Sequence, residues 1–195
     1  MEAIGEVLVI AGPNGAGKST CVSRYLPEGI PFLNADEVAK GLPGYPSPGV
    51  DIQAGRVVLE QMDLLESRGE SFCVETTLAT RSLASRVTRL RRSGYRFHLV
   101  YVWSPSAEFS IQRVASRVRA GGHHIPEETI RRRYEASIKN FFQLYRPIAD
   151  VWDVLDNSRP DGPILIASGS LGTEPDIRDD VLWQQMLQRG NDGTE

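Results

Sequence analysis

Apolar residues in this chain fall into short β-branched runs, separated by longer stretches where they recur every three or four positions. The first run, VLVIA at residues 7–11, is closed by Gly12-Pro13. It reads as a strand buried on both faces, the pattern of a parallel sheet. Further strands are predicted at residues 30–33, 71–76, 97–103 and 151–156, with an edge strand at 164–167 beyond the turn Pro160-Asp161-Gly162-Pro163. Helical spacing covers 18–26, 52–68, 81–92, 106–119 and 127–145. Asn34-Ala35-Asp36-Glu37 has capping-box spacing, with Asn34 as N-cap and Glu37 three residues on. Residues 41–49, rich in glycine and proline, are predicted to be a loop. A last helix over 176–188 would use Ile177, Val181, Leu182 and Met186. This alternation predicts an α/β fold with a largely parallel, five-stranded central sheet flanked by helices. The expected domain spans residues 1–170, and 171–195 form a C-terminal tail carrying a short helix.

Composition narrows the class without naming a chemistry. The chain has 195 residues, 41% hydrophobic and 24% charged, which fits one globular domain. No apolar stretch approaches the roughly 18–20 residues of a membrane span. The acidic start, with Glu2 and Glu6 before the first apolar run, lacks the basic region of an export signal. Cys21 and Cys73 have neither metal nor redox spacing, so two reduced thiols in a cytoplasmic protein are expected. Net charge is −3, but it is unevenly spread. Residues 81–133 hold twelve arginines, no lysine and three acids, a local balance of +9. Guanidinium forks suit the phosphates of small ligands and of nucleic acids alike. The basic face of 81–92 lacks interleaved aromatics for base stacking, which argues against a nucleic-acid partner.

Gly12-Pro13-Asn14-Gly15-Ala16-Gly17-Lys18-Ser19 matches the P-loop pattern G-x-x-x-x-G-K-[ST], and it sits between a predicted strand and a predicted helix. The glycines let backbone N–H groups converge on an anion, and the helix beginning near Lys18 adds its positive end. Lys18 is expected to reach the β- and γ-phosphates of ATP, the Ser19 hydroxyl to ligate Mg²⁺, and Thr20 to complete the nucleotide-binding stretch. The fold class is therefore a P-loop NTPase fold, nucleotide-kinase-like. No N-K-x-D or D-x-x-G is present for a GTPase, and the third apolar strand ends in Glu75 rather than a Walker B aspartate.

Five stretches taken together resemble the zeta-toxin family of P-loop kinases: AGPNGAGKST at 11–20, NADE at 34–37, VETTL at 74–78, RVRAGGHHIPEETIRRRY at 117–134 and VWDVLDNS at 151–158. The resemblance covers about residues 5–168, with a lid segment of the G-G-H-x-I-P kind found in chromosomal zeta-like proteins. It implies an ATP-dependent kinase, with UDP-N-acetylglucosamine as acceptor in the best-known members. Asp36 occupies the position where that family places the carboxylate that activates the acceptor hydroxyl; a carboxylate beyond the end of a parallel strand lies in the ligand crevice. Glu75, Thr76 and Thr77 stand where the family binds its acceptor. Within the lid, expected at about 117–133, Arg119, Arg117 and Arg132 rank in that order as suppliers of charge to the transferred phosphoryl group. His123 and His124 read as hinge or capping residues, with no third metal ligand in view. Asn157 has the amide for contact with adenine, at a strand end where related kinases often place one.

The leading expectation is transfer of the ATP γ-phosphoryl to a hydroxyl of a small molecule, which is the partner. Alternatives are a kinase for another sugar, an antibiotic or a nucleoside, and, in other classes, a nucleic-acid-binding ATPase built on the arginine block or an idle nucleotide-binding module. Nothing in the sequence points to a membrane, and an antitoxin partner stays open.

Overall fold

The computed structural model describes residues 3–122 and 124–191. Five strands run parallel: β1 (Gly5–Ala11), β2 (Phe32–Leu33), β3 (Phe72–Thr76), β4 (Tyr95–Trp103) and β5 (Val151–Asp156). β6 (Ile164–Ser170) and β7 (Asp176–Ile177) continue the sheet antiparallel. Among the described residues the order is β2-β3-β1-β4-β5-β6-β7, so the first apolar run of the chain lies between β3 and β4. That position explains its composition. Val7, Val9 and Ala11 enter the main core, while Leu8 and Ile10 enter a second core on the other face.

The main core lies under α3 (Pro48–Ser67), α4 (Ser82–Arg92), α6 (Glu127–Asn140) and α7 (Asp180–Asn191), represented by Met62, Val87, Tyr134 and Trp183. The second core is covered by α1 (Lys18–Tyr25) through Cys21 and includes Cys73; both cysteines are free thiols. Burial pushes the Cys21 thiol up to about 11 and the Cys73 thiol up to about 12, which leaves them unreactive. Two satellite clusters complete the packing. One joins α2 (Ala35–Lys40) to α3 through Ala39, Val50 and Ala54. The other joins α5 (Ala107–Arg119) to α6 through Val114, Ile125 and Ile130. Among the described residues no helix is long and apolar enough to cross a membrane.

Several boundaries differ from the apolar periodicity, each for a local reason. α3 begins at Pro48, inside the expected loop, because proline at the first helical turn loses no hydrogen bond and has a suitable φ. The capping box at Asn34 forms by half. Asn34 Oδ1 accepts the N–H of Asp36 and Glu37, but the Glu37 side chain turns to Lys40 at 2.7 Å. The helix expected over 127–145 ends at Asn140 and continues as a π-turn, Phe141–Tyr145, then a 3₁₀ turn, Arg146–Ile148. The wider turn lets Phe141 and Tyr145 both enter the main core.

The tail is the largest departure. Residues 176–177 are β7, and α7 starts only after Asp179, whose Oδ1 accepts the Leu182 N–H at 3.0 Å. Ile177 and Val181 are exposed; of the expected stripe Met186 is buried and Leu182 packs on the core, and Trp183 joins them. Trp183 stacks on Trp152 of β5, centroids 5.6 Å apart and planes 8° from parallel. The Arg146 guanidinium lies over the rings of Phe142, Trp152 and Trp183. The C-terminal helix therefore closes the main core. Trp183→Ala should cost about 3–5 kcal/mol of stability, as for a buried aromatic truncated within a core. Urea unfolding measures it, and a loss under 1 kcal/mol would show that α7 docks without supporting the sheet.

Candidate functional site

Residues 12–17 connect β1 to α1 across the C-terminal edge of the sheet. Gly12 has φ +142°, and a Cβ there would be driven into the Val102 carbonyl oxygen. Gly17 has φ +90°, and a Cβ there would overlap the Asn157 side-chain amide. Both positions demand glycine for space as well as for conformation. Lys18 begins α1 and is 8% exposed, with Nζ donating to the carbonyls of Gly12 at 3.0 Å and Pro13 at 3.2 Å. Glu75 Oε1 lies 3.8 Å from that ammonium. Burial pulls the Lys18 pKa below its ordinary value, against the opposing pull of Glu75 and Asp36.

Strand register brings Glu75 to this point. Ile10 pairs with Glu75 and Ala11 with Thr76, so the end of β3 flanks the root of the loop. Burial pushes the Glu75 carboxyl above its ordinary range, with Lys18 pulling it back. Its Oε2 accepts a hydrogen bond from Asn34 Nδ2 at 3.1 Å. Asn34 thus caps α2 with its oxygen and orients Glu75 with its nitrogen. Asp36 stands exposed in the first turn of α2.

The Thr76 and Thr77 hydroxyls accept the N–H groups of Leu78 at 3.1 Å and Ala79 at 3.4 Å. They shape a turn in which Leu78, fully buried, has φ +54°. Such a conformation is costly for leucine and needs outside support. Asn140 Nδ2 supplies it at the Leu78 carbonyl, 2.6 Å away, and the Tyr145 hydroxyl donates to the Thr80 carbonyl at 2.8 Å.

Two clefts meet at Lys18 and Glu75. One, of about 200 Å³, is lined by Asn14, Asn34, Asp36, Thr76, Thr77 and Arg133 as well as that pair. The other, of about 320 Å³, is lined by Gly15, Gly17, Ser19, Arg113, Ser116 and Arg117 with the same pair. Of the residues singled out from sequence, Asn14, Gly15, Gly17, Lys18, Ser19, Asp36, Glu75, Thr76, Thr77 and Arg117 line one or both clefts. Thr20 is exposed on α1, and Ala16, within the loop, is buried in the second core.

The arginines divide differently from the ranking made on sequence. Arg119 donates to Ser116 Oγ at 2.9 Å and lines an apolar groove between α5 and α6, which also contains His124. Arg132 is exposed and lines neither cleft. His123 lies outside the described residues. Arg131 pairs with Glu108, Arg86 and Arg89 with Asp63 and Glu66, and Arg91 with Asp150. Four arginines of the basic block are therefore answered by acids of the same chain.

Two cleft arginines escaped the sequence reading. Arg133 donates to Asn14 Oδ1 at 3.4 Å, and Arg113 lies beside the loop. Faint signals were present. Arg133 follows buried Ile130 by three residues and precedes buried Ser137 by four, which puts it near the inner face of α6. Arg113 and Arg117, four apart on α5, share a face. The Asn157 amide, expected at adenine, is instead directed at the loop, with Nδ2 donating to the Gly17 carbonyl at 3.2 Å and the Ala16 carbonyl at 3.4 Å.

A Gly-rich loop leaving the central strand of a parallel β2-β3-β1-β4-β5 sheet, with its lysine buried at the sheet edge, defines a P-loop fold of the nucleotide-kinase kind. Residues 7–139, more than half of the chain, match the AAA domain family, and the chain belongs to it. An uncharacterized protein of Haemophilus influenzae is 28% identical over 129 residues, covering 66% of this chain and 92% of its own length. Among solved structures, the AvrRxo1-ORF1:-ORF2 assembly with ATP is similar with a TM-score of 0.75 at 16% identity, over 98% of this chain. This chain spans 66% of the AvrRxo1 chain it matches. The PezAT chromosomal toxin-antitoxin system of Streptococcus pneumoniae is similar with a TM-score of 0.62 at 19% identity, over 97% of this chain and 84% of that one. At these identities the likeness is one of fold.

The coupling of Lys18 to Glu75 is open to titration. Lys18→Met removes the charge that stabilises the Glu75 carboxylate, so that carboxyl should titrate at higher pH than in the wild type. Carbon NMR of the Glu75 side chain reads this directly. The folded chain holds the Glu75 proton more tightly than the unfolded chain does. Stability from this group therefore falls as pH rises from the ordinary value of 4.5 through the raised one, and the variant should extend that fall upward. An unchanged titration would show that the two groups do not feel one another.

Proposed function

We propose that this chain is an ATP-dependent phosphotransferase of the zeta-toxin kind, moving the γ-phosphoryl group to a hydroxyl of a small polar acceptor. The observation that carries this reading is the meeting of two clefts at Lys18: the loop glycines and Ser19 line one, the carboxylates and threonines line the other. ATP would lie in the loop cleft, its phosphates held by backbone N–H groups and by Lys18, which would exchange its two carbonyl partners for phosphate oxygens. The acceptor would lie in the carboxylate cleft.

Asp36 is the group for the acceptor proton, since it is an exposed carboxylate that lines that cleft. Glu75 is fixed in place by the Asn34 hydrogen bond to Oε2 and by the Lys18 charge 3.8 Å from Oε1, so it fits better as a stationary acceptor of substrate hydroxyls on its remaining lone pairs, beside Thr76 and Thr77. Arg117 and Arg133 line the two clefts on which Lys18 opens and would meet charge on the transferred group. The Ser19 hydroxyl and the Glu75 carboxylate line the same cleft, and hard oxygen donors of this kind fit Mg²⁺. When bound there, the ion would neutralise charge on the β- and γ-oxygens.

UDP-N-acetylglucosamine is the first acceptor to test, on the family resemblance. The polar lining of the carboxylate cleft supports a polyhydroxylated ligand of that type. An antitoxin that covers the site belongs to the same reading. The test is ATP turnover with UDP-N-acetylglucosamine against a panel of sugars, nucleosides and aminoglycosides, each product identified by mass. Phosphate release with no phosphorylated product from any acceptor would overturn the phosphotransferase reading.

Two sets of variants test the roles. Asp36→Asn should lower kcat about 10²–10⁴-fold, the usual worth of acid–base catalysis, while the melting temperature and ATP affinity change little. Near-wild-type kcat would remove Asp36 from proton transfer. Arg133→Ala and Arg117→Ala should each lower kcat at least about 10²-fold, as expected for lost transition-state charge stabilisation. Arg119→Ala and Arg132→Ala should stay within about threefold of wild type, because their side chains lie off both clefts. The reverse order would mean that α5 and α6 rearrange before the reaction.

A further inference from the structure

A loop that turns its N–H groups toward one point must turn its carbonyls elsewhere, and those carbonyls need partners. In this chain they are tied down from outside. Gly12 and Pro13 give their carbonyls to Lys18, and those of Gly15, Ala16 and Gly17 take two side chains from distant elements. Asn157, which follows β5 and is 4% exposed, donates Nδ2 to the carbonyls of Gly17 at 3.2 Å and Ala16 at 3.4 Å. Arg113, midway along α5, shares Nη1 among the carbonyls of Ala16 at 3.3 Å, Gly15 at 3.5 Å and Asn157 itself at 2.8 Å. Its guanidinium lies over the Phe109 ring, 5.1 Å from the centroid, a cation–π contact within its own helix. The missing Cβ of Gly17 is what lets the Asn157 amide in.

We propose that Asn157 and Arg113 are positioning residues that hold the carbonyls of Gly15, Ala16 and Gly17 outward, so that the loop is set for an anion before one is bound. The proposal rests on the nucleotide reading above and adds to it a pair of residues that need not touch the ligand. The gain is pre-organisation: the cost of ordering the loop is met in folding and not in binding. Arg113 also holds the Asn157 backbone, so the two act as one brace. Because Arg117 lies one turn further along α5, any shift of that helix reaches the loop and the cleft arginine together.

The test compares affinities for ADP and for inorganic pyrophosphate, by calorimetry, in wild type, Asn157→Ala, Arg113→Met and Arg113→Lys. A loosened loop grips the phosphates of both ligands less well. Asn157→Ala and Arg113→Met should therefore weaken ADP and pyrophosphate alike, by about tenfold, the worth of one or two lost hydrogen bonds. Arg113→Lys, which keeps the charge and donors, should recover most of the loss. Arg113 is only partly buried, so its variants keep the test usable should Asn157→Ala fold poorly. A loss for ADP without one for pyrophosphate would overturn the proposal by assigning the side chains to the base. Unchanged affinities beside a lowered melting temperature would overturn it by making the brace purely architectural. Wild-type protein that bound neither ligand would instead overturn the nucleotide reading itself.

Discussion

The Lys18 ammonium and the Glu75 carboxylate face one another at 3.8 Å on the C-terminal edge of a parallel sheet, 8% and 12% exposed. Removing such ions from water costs several kcal/mol each unless other groups replace the lost hydration. The replacements come from separate parts of the chain. Gly12 and Pro13 supply carbonyls from the turn after β1, and Asn34 supplies an amide from the end of β2. The pair is tolerable only while β1, β2 and β3 keep their register. A one-residue slip of β3 would turn Glu75 to the opposite face and leave Lys18 buried without its counter-ion. Opposed pKa shifts record the same tension, with burial lowering Lys18 and raising Glu75 while each restrains the other.

From that edge the rest of the site follows by packing. The Leu78 turn carries Glu75, Thr76 and Thr77 into the cleft and is held by Asn140 and Tyr145, at the end of α6 and in the π-turn. The same π-turn packs Phe142 against Trp183 of α7. The Tyr134 hydroxyl, one residue beyond Arg133, donates to the Ser104 carbonyl and accepts from Arg189 of α7. A C-terminal helix far from the loop in sequence thus supports the elements that carry Arg133 and the β3 turn. Charge is distributed on the same plan. Arg86, Arg89 and Arg91 of α4 and Arg131 of α6 are met by Asp63, Glu66, Asp150 and Glu108, while Arg113, Arg117 and Arg133 are directed at the loop or the clefts.

Much of this was legible in the residues. The doubly buried first strand, the P-loop, the strand-end positions of Asp36 and Glu75, and the alternation that makes the sheet parallel are all local patterns of period and spacing. The order of the lid arginines was not. Composition records that a helix is basic and not which side it turns inward, and only the faint spacing of Arg133 from Ile130 and Ser137 pointed to the side that α6 buries. Asn157 shows the same limit: an amide at a strand end was expected at a ligand, yet its nearest acceptors are carbonyls of a loop some 140 residues earlier.

The sequence by itself determined the fold class, the anion-binding loop and the identity of the residues at the strand ends, since each depends on the conformational needs of a few neighbouring positions. Glycine at 12 and 17, lysine at 18 and apolar residues on both faces of β1 leave little else for that segment to be. Tertiary structure alone decided which arginines meet the clefts, that Asn34 serves a cap and a carboxylate at once, and that the last helix belongs to the core. Those outcomes depend on how helices rotate when buried surfaces of the whole chain are packed together. Rotating a helix by one residue position, about 100°, exchanges one arginine for another at almost no local cost. Only the neighbours across the sheet can set that rotation.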